Sequence, residues 1–304
     1  MGVGRQAIEL ATKVALKTRL PVKPIYQALK AARIARRPAE FIGRRRAAQQ
    51  ILDGSVWRDF IPPEQGFRIT DASELPGVDD VVAAGRAALD RYEQRRAAME
   101  RPVKTFFANI LTADDLTRFP ALMDFALSPP LVESATGYLC TLPRLNGIGV
   151  YVSPANDSQV RSQLYHVDYA DFAQVKCFVN INDVGVENGP FTFIAADRSH
   201  EIRVANGHGY RSSNLPDARI GNAEPRTLTG PAGTTGLVDT SNCLHFGSRV
   251  RRGRRVVFMC QYTTWPRPAL TTDKGAVEGR PVFDFPPITD PERHYLPALL
   301  GPMI

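Results

Sequence analysis

The chain has 304 residues, 43% of them apolar, enough to bury a sizeable core without disulfides or metal staples. No uninterrupted apolar run of about 18 residues occurs, which excludes a spanning helix, and the N-terminal stretch lacks the apolar centre of a secretory signal, so a cytoplasmic protein is expected. The net charge of +7 is concentrated in residues 1–50, which hold 12 Lys and Arg against two acids, Glu9 and Glu40; beyond them acids slightly outnumber bases.

Residues 1–54 read as a basic helical segment, rich in Ala, Leu, Ile, Lys and Arg, with breaks at Pro21 to Pro24 and at Pro38. Clustered cations of this kind favour an acidic partner, a nucleic acid or anionic lipid, but the commoner reading is a solvated basic face on helices packed against the rest. Residues 55–264 read as the main domain. Its first part is helical: residues 77–99 start on Asp79 or Asp80 and keep helical apolar spacing, and Leu111 to Leu127 opens on the cap Thr112-Ala113-Asp114-Asp115.

From Leu145 the texture changes to short β-rich runs: Gly147 to Val152, Ser162 to Tyr165, Gln174 to Ile181, Phe191 to Ala195, Thr235 to Val238 and Arg254 to Thr264. Gly, Pro, Asn and Asp punctuate them, the pattern of an antiparallel sandwich or small barrel. Residues 201–231 lack periodicity and contain Arg203, His208, Arg211, Arg219 and Arg226. They are expected to form a long lid near the pocket mouth that selects a substrate, an anionic one if the arginines face it. Residues 265–304 hold eight prolines and read as an irregular tail. Cys140, Cys177, Cys243 and Cys260 form no C-x-x-C pair and are expected to be buried thiols of a reducing compartment.

Within the β-rich half stands His166-Val167-Asp168. On an extended chain, residues i and i+2 share a face roughly 6.5 Å apart, so an imidazole and a carboxylate can reach one metal ion. The pattern alone is weak. His245 ends a second strand-turn unit and supplies a third candidate ligand; two imidazoles and one carboxylate on one octahedral face leave positions open for Fe(II) oxygen chemistry. Arg254 and Arg255 open the next strand, where a guanidinium fork would match the far carboxylate of a dicarboxylate cosubstrate. Both faces of that strand are largely apolar, so parity does not choose between them.

The stretch between these elements, with Glu187-Asn188-Gly189 and Asp197-Arg198-Ser199-His200, resembles the phytanoyl-CoA dioxygenase family from about Leu145 to Tyr262. There the iron-binding H-x-D is followed by a strand, an E-N-G turn, another strand and a Gly-Ser-His segment, whose glycine this chain lacks. The resemblance implies a mainly β fold with flanking helices around a double-stranded β-helix, a jelly-roll or cupin-like core. It implies Fe(II), 2-oxoglutarate and O2 as cofactor and cosubstrates, and hydroxylation of a small molecule with release of succinate and CO2. His166, Asp168 and His245 match the metal ligands, and Arg255 matches the arginine that opens the strand after the distal His, as a catalytic and cosubstrate-binding residue.

Gln163 and Phe178 fall where family members place groups against 2-oxoglutarate, although Phe178 also suits a core role. Lys176 is a further candidate for positive charge beside the cosubstrate. His200 and His208 are not assigned to metal. Because related halogenases carry a small residue at the carboxylate position, Asp168 points to hydroxylation, with desaturation or epimerisation as variants. An oxygenase acting on nucleic acid or protein held by the basic helices is the alternative, and a non-catalytic interaction protein on the same fold is a weaker one.

Overall fold

The computed structural model describes residues 22–97, 106–168, 171–207, 214–266 and Leu299. Two helices come first among the described residues, α1 (Val22–Arg36) and α2 (Pro38–Leu52). Pro24 and Pro38 lie in their first turns, where the missing N–H of proline has no intrahelical partner to lose. Of the break expected at Pro21 to Pro24, residues 22–24 are helical, and Pro21 lies outside the described residues. α2 is seated on the main domain by the buried Arg44, whose guanidinium donates to the carbonyls of Leu142 and Pro143 at 3.1 and 3.3 Å and lies over the Trp265 ring. Residues 1–21 and nearly all of the proline-rich tail lie outside the described residues.

The short strand β1 (Phe67–Thr70) precedes α3 (Val78–Ala97), followed by β2 (Ala108–Asn109). The helix expected over Leu111 to Leu127 is two, α4 (Ala113–Arg118) and α5 (Pro120–Ala126), because Pro120 cannot continue the first. The Thr112 cap is present as a box: Asp115 accepts from the Thr112 backbone and hydroxyl at 2.7 and 2.8 Å. α6 (Pro129–Leu139) ends on Cys140 in the left-handed conformation, φ 54°. That turn leaves Cys140 exposed, against expectation, whereas Cys177, Cys243 and Cys260 are buried.

Then come β3 (Arg144–Pro154), β4 (Gln174–Asn180), β5 (Thr192–Phe193), α7 (Ala196–Ala205), β6 (Arg226–Thr227), β7 (Thr235–Asp239), β8 (His245–Phe246) and β9 (Arg254–Thr263). The larger sheet has the antiparallel order β1-β7-β4-β9-β3-β2, and the smaller one β6-β5-β8. An antiparallel bridge between His166 and His245 adds the segment around His166 to the smaller sheet beside β8. From β3 onward the chain passes to and fro between the sheets: β3 large, His166 small, β4 large, β5 and β6 small, β7 large, β8 small, β9 large. This is a double-stranded β-helix with helices on the outer face of the large sheet.

That layering explains the apolar texture of the strands. Val256, Phe258, Cys260 and Tyr262 of β9 pack outward with Leu122, Leu131 and Ala135 of the helices, while Val257 and Met259 face inward with Tyr151, Phe178, Phe191 and Phe193. Two expectations are corrected here. Ser162 to Tyr165 is a 3-10 turn, Arg161–Gln163, before the bridge, and Phe191 to Ala195 is a strand for only two residues before α7 begins.

Candidate metal centre

His166 and His245 meet because the two segments exchange both backbone hydrogen bonds, His166 N–H to the His245 carbonyl at 3.0 Å and His245 N–H to the His166 carbonyl at 2.8 Å. Their rings lie 4.3 Å apart between centroids. Asp168 is carried to them by its backbone N–H, which donates to the Thr240 carbonyl at 2.7 Å. One ligand atom from each of His166, Asp168 and His245 lies within 4.8 Å of the others, and this is the one cluster of its kind among the described residues.

Each ring is held by its inner nitrogen. His166 Nδ1 is 2.8 Å from the Leu164 carbonyl and His245 Nδ1 is 3.0 Å from that of Cys243. A carbonyl can only accept, so each Nδ1 bears a proton, and in the neutral ring Nε2 keeps its lone pair, the arrangement that metal-binding histidines share. Burial, then the neighbouring His166, pushes His245 down to about 3, which keeps it neutral. Burial would raise the Asp168 carboxyl, but Lys176, His245 and His166 outweigh it and hold the group well below the usual carboxylate range. Lys176 Nζ sits 2.5 Å from Asp168 Oδ2, with side chains 12% and 25% exposed. The lysine reaches in from the inner face of β4.

Arg254 and Arg255 part at the edge of β9. Arg254 is exposed and pairs with Glu93, while Arg255 is buried and turns inward beside Ser153. The Arg255 guanidinium donates to the Gly189 carbonyl at 3.0 Å and to Ser248 Oγ at 3.3 Å. Among the described residues its Nε has no partner and no carboxylate pairs with it. Burial lowers it to about 10, so it remains a cation at neutral pH. It lies against Gly247, two residues beyond His245, where an added Cβ would come within 3.1 Å of it.

The two motif segments between the ligands prove to be supports. Gly189 has φ +64°, and a Cβ there would stand 2.6 Å from the backbone of Arg249 and Val250, so only glycine fits. The Glu187 carbonyl accepts the N–H groups of Arg251 and Arg252, which fixes the turn leading into β9. Ser199 lies in α7 and is buried; its hydroxyl donates to the Ile194 carbonyl and accepts from Leu244 N–H at 2.8 Å, next to His245. His200 is exposed.

The structure also locates the softer candidates. Gln163 spends its whole amide on the protein: Oε1 accepts from Ser158 and Val160, and Nε2 donates to Asn156 and the Ser248 carbonyl. In this arrangement it braces the loop below Arg255 and has no hydrogen bond left for a ligand. Phe178 lies on the inner face of β4, two residues from Lys176, and stacks on Phe191 with centroids 4.2 Å apart. The expected lid is different in kind. Arg203 is buried on α7, a helix with no amphipathic stripe to betray it in sequence, and Arg219 and Arg226 are exposed; His208 and Arg211 lie outside the described residues. The buried Arg203 does not present a charge at the surface, which removes one support for an anionic substrate.

Two residues near the centre were not anticipated. Arg249 forms a fork with Asp217 at 2.7 and 2.8 Å and lies 3.6 Å from the centroid of Phe246, backing β8. Asp239 is fully buried and accepts four hydrogen bonds. Its signature is legible in Asp239-Thr240-Ser241-Asn242, an Asp whose side chain accepts from the N–H two residues on.

No family model matches the sequence, and no curated protein matches it. Solved structures similar to the chain include HygX from Streptomyces hygroscopicus with nickel and 2-oxoglutarate bound, at 13% identity and a TM-score of 0.48, covering 70% of this chain and 88% of that one. SnoK, a non-haem α-ketoglutarate-dependent carbocyclase from nogalamycin biosynthesis, is 16% identical with a TM-score of 0.48 over 75% of this chain and 93% of its own. EctD from S. alaskensis with 2-oxoglutarate and 5-hydroxyectoine is 16% identical with a TM-score of 0.47 over 69% and 76%. Likeness at this level assigns no ligand to the present chain, and no helix among the described residues is long and apolar enough to cross a membrane.

Proposed function

We propose that the chain is an Fe(II)- and 2-oxoglutarate-dependent oxygenase of the phytanoyl-CoA dioxygenase type that hydroxylates a small molecule. The observation that carries this reading is the pairing of an inward-facing His-Asp-His set with a buried arginine that pairs with no carboxylate among the described residues. Two imidazoles and a carboxylate suit Fe(II) with positions left open, and an orphaned Nε on a buried guanidinium suits a ligand carboxylate. When bound, iron, 2-oxoglutarate and O2 would supply the oxidant that converts C–H to C–OH, with succinate and CO2 as co-products.

The protein's own share is geometry. His166 and His245 present Nε2 because carbonyls hold Nδ1, and Asp168 stays ionised as the third ligand. Arg255 would bind the far carboxylate of the cosubstrate from the depth of the barrel. Tyr151, Phe178, Val257 and Met259 line the inner space as an apolar wall that limits water. Lys176 would shift from Asp168 when a divalent cation takes that carboxylate, since like charges so close repel strongly. With Asp168 present, a halide has no vacant ligand position, which favours hydroxylation.

The test is an anaerobic titration with Fe(II) and then 2-oxoglutarate, following the metal-to-ligand absorption of the chelate. Wild-type protein is expected to give the band and Asp168→Ala to lose it; no band in the wild type overturns the assignment. Succinate release in the presence of candidate metabolites then searches for the substrate.

A further inference from the structure

We propose that Asp239 is a positioning residue that locks together the two ligand-bearing loops, one carrying Asp168 and the other His245. This rests on the reading of the triad as a metal site. Asp239 ends β7 and, unlike the inward Val238 before it, turns toward the helices, where Tyr138 of α6 donates to Oδ2 at 2.8 Å. Asn242 Nδ2 donates to the same oxygen at 2.7 Å, and Oδ1 accepts from the N–H groups of Ser241 at 2.9 Å and Gln174 at 3.3 Å.

These donors come from three parts of the chain, and two of them are the ends of the loops in question. Gln174 opens β4, six residues after Asp168, and Ser241 and Asn242 belong to the turn that leads to His245. The stitching continues through neighbours that Asp239 orients. Asn242 Nδ2 also donates to the Phe172 carbonyl at 3.0 Å, and Thr240 Oγ1 accepts from Gln174 Nε2 at 2.7 Å. The Thr240 carbonyl, fixed by the same turn, takes the Asp168 N–H.

A buried carboxylate with no cation among the described residues is costly, and an apolar side chain of similar size would fill the space more cheaply. Retention of a charge at this point is explained by its four acceptor contacts: no neutral side chain can receive four donors converging on two atoms. Asp239 has no exposed surface and so does not itself meet a ligand. It acts through Asp168 and His245.

The experiment measures Co(II) affinity of the full metal-free chain by calorimetry and by the visible absorption of bound Co(II), for wild type, Asp239→Asn, Tyr138→Phe and Tyr262→Phe. Tyr262→Phe is the control, since it deletes a buried hydrogen bond to the Ala126 carbonyl on the far side of β9. Expected are a loss of about 10- to 100-fold for Asp239→Asn, as for other groups that orient metal ligands, with an altered Co(II) spectrum, and a smaller loss for Tyr138→Phe. The control should lose stability without losing affinity. Wild-type affinity in both Asp239→Asn and Tyr138→Phe overturns the proposal; if Asp239→Asn does not fold, Tyr138→Phe decides alone. Failure of the wild type to bind Co(II) instead overturns the metal reading beneath it.

Discussion

Replacing Arg255 with Met should separate binding from stability, because a buried guanidinium with no anion among the described residues stabilises little in the unliganded protein. The side chain makes one good hydrogen bond, to the Gly189 carbonyl at 3.0 Å, and one long one, to Ser248 Oγ at 3.3 Å. Losing the first costs about 1.5–3 kcal/mol; losing the second costs little, since Ser248 keeps Ser153 at 2.9 Å. Against this, removing an unpaired buried charge recovers a desolvation penalty of several kcal/mol. The unfolding free energy of Arg255→Met should therefore stay level or rise by about 2 kcal/mol. Binding of 2-oxoglutarate should suffer in the opposite sense. Removing one partner of a buried charge pair costs about 2–5 kcal/mol, or roughly 30- to 4000-fold in Kd. Urea titration of the metal-free protein and calorimetry of 2-oxoglutarate binding to the Mn(II) form measure the two quantities. A stability loss above about 3 kcal/mol, the range for breaking a compensated buried pair, would show Arg255 to be a structural keystone, and an unchanged Kd would remove it from the cosubstrate site.

Other consequences are as direct. Gly189→Ala should lower stability by about 2–4 kcal/mol through left-handed strain and backbone overlap, and should weaken 2-oxoglutarate binding as well, because the Gly189 carbonyl holds Arg255; a denaturation midpoint equal to wild type would contradict the turn's geometry. Lys176→Met should tighten Mn(II) binding in the absence of cosubstrate, measured by the loss of the free-ion EPR signal, since the ammonium sits 2.5 Å from a ligand oxygen; weaker binding would make Lys176 a contributor to the site and not a competitor. Burial pushes Asp239 up to about 6, above an unfolded aspartate near 3.8. The folded state then holds the proton over the pH range between those values, so this group's contribution to stability falls as pH rises from about 4 to 6. Asp239→Asn should flatten that part of the metal-free stability profile, and parallel profiles for the two proteins would disprove the burial argument.

The candidate site was largely legible in residue order. His166-Val167-Asp168 is a weak pattern alone; His245 and an arginine shortly beyond strengthen it, and the resemblance gives the set its weight and chooses Arg255. The double-stranded β-helix was anticipated from the segments that recur in the resemblance, and its helices from caps such as Thr112. Other features were not legible. The two faces of β9 are both apolar because one lies under helices and the other inside the barrel, so periodicity could not orient Arg254 against Arg255. α7 escaped because it is short and carries no stripe, and Arg203, expected on a lid, is buried on it.

Sequence by itself determined which donors exist and in what order they arrive. Tertiary structure alone decided that Arg255 faces inward with no anion among the described residues, that Lys176 rests on Asp168, that Gln163 is consumed in bracing a loop, and that Asp239 gathers four donors from three segments. The physical reason is that each of these depends on what another strand or helix brings to the same few ångströms, and local pattern carries no record of a distant partner.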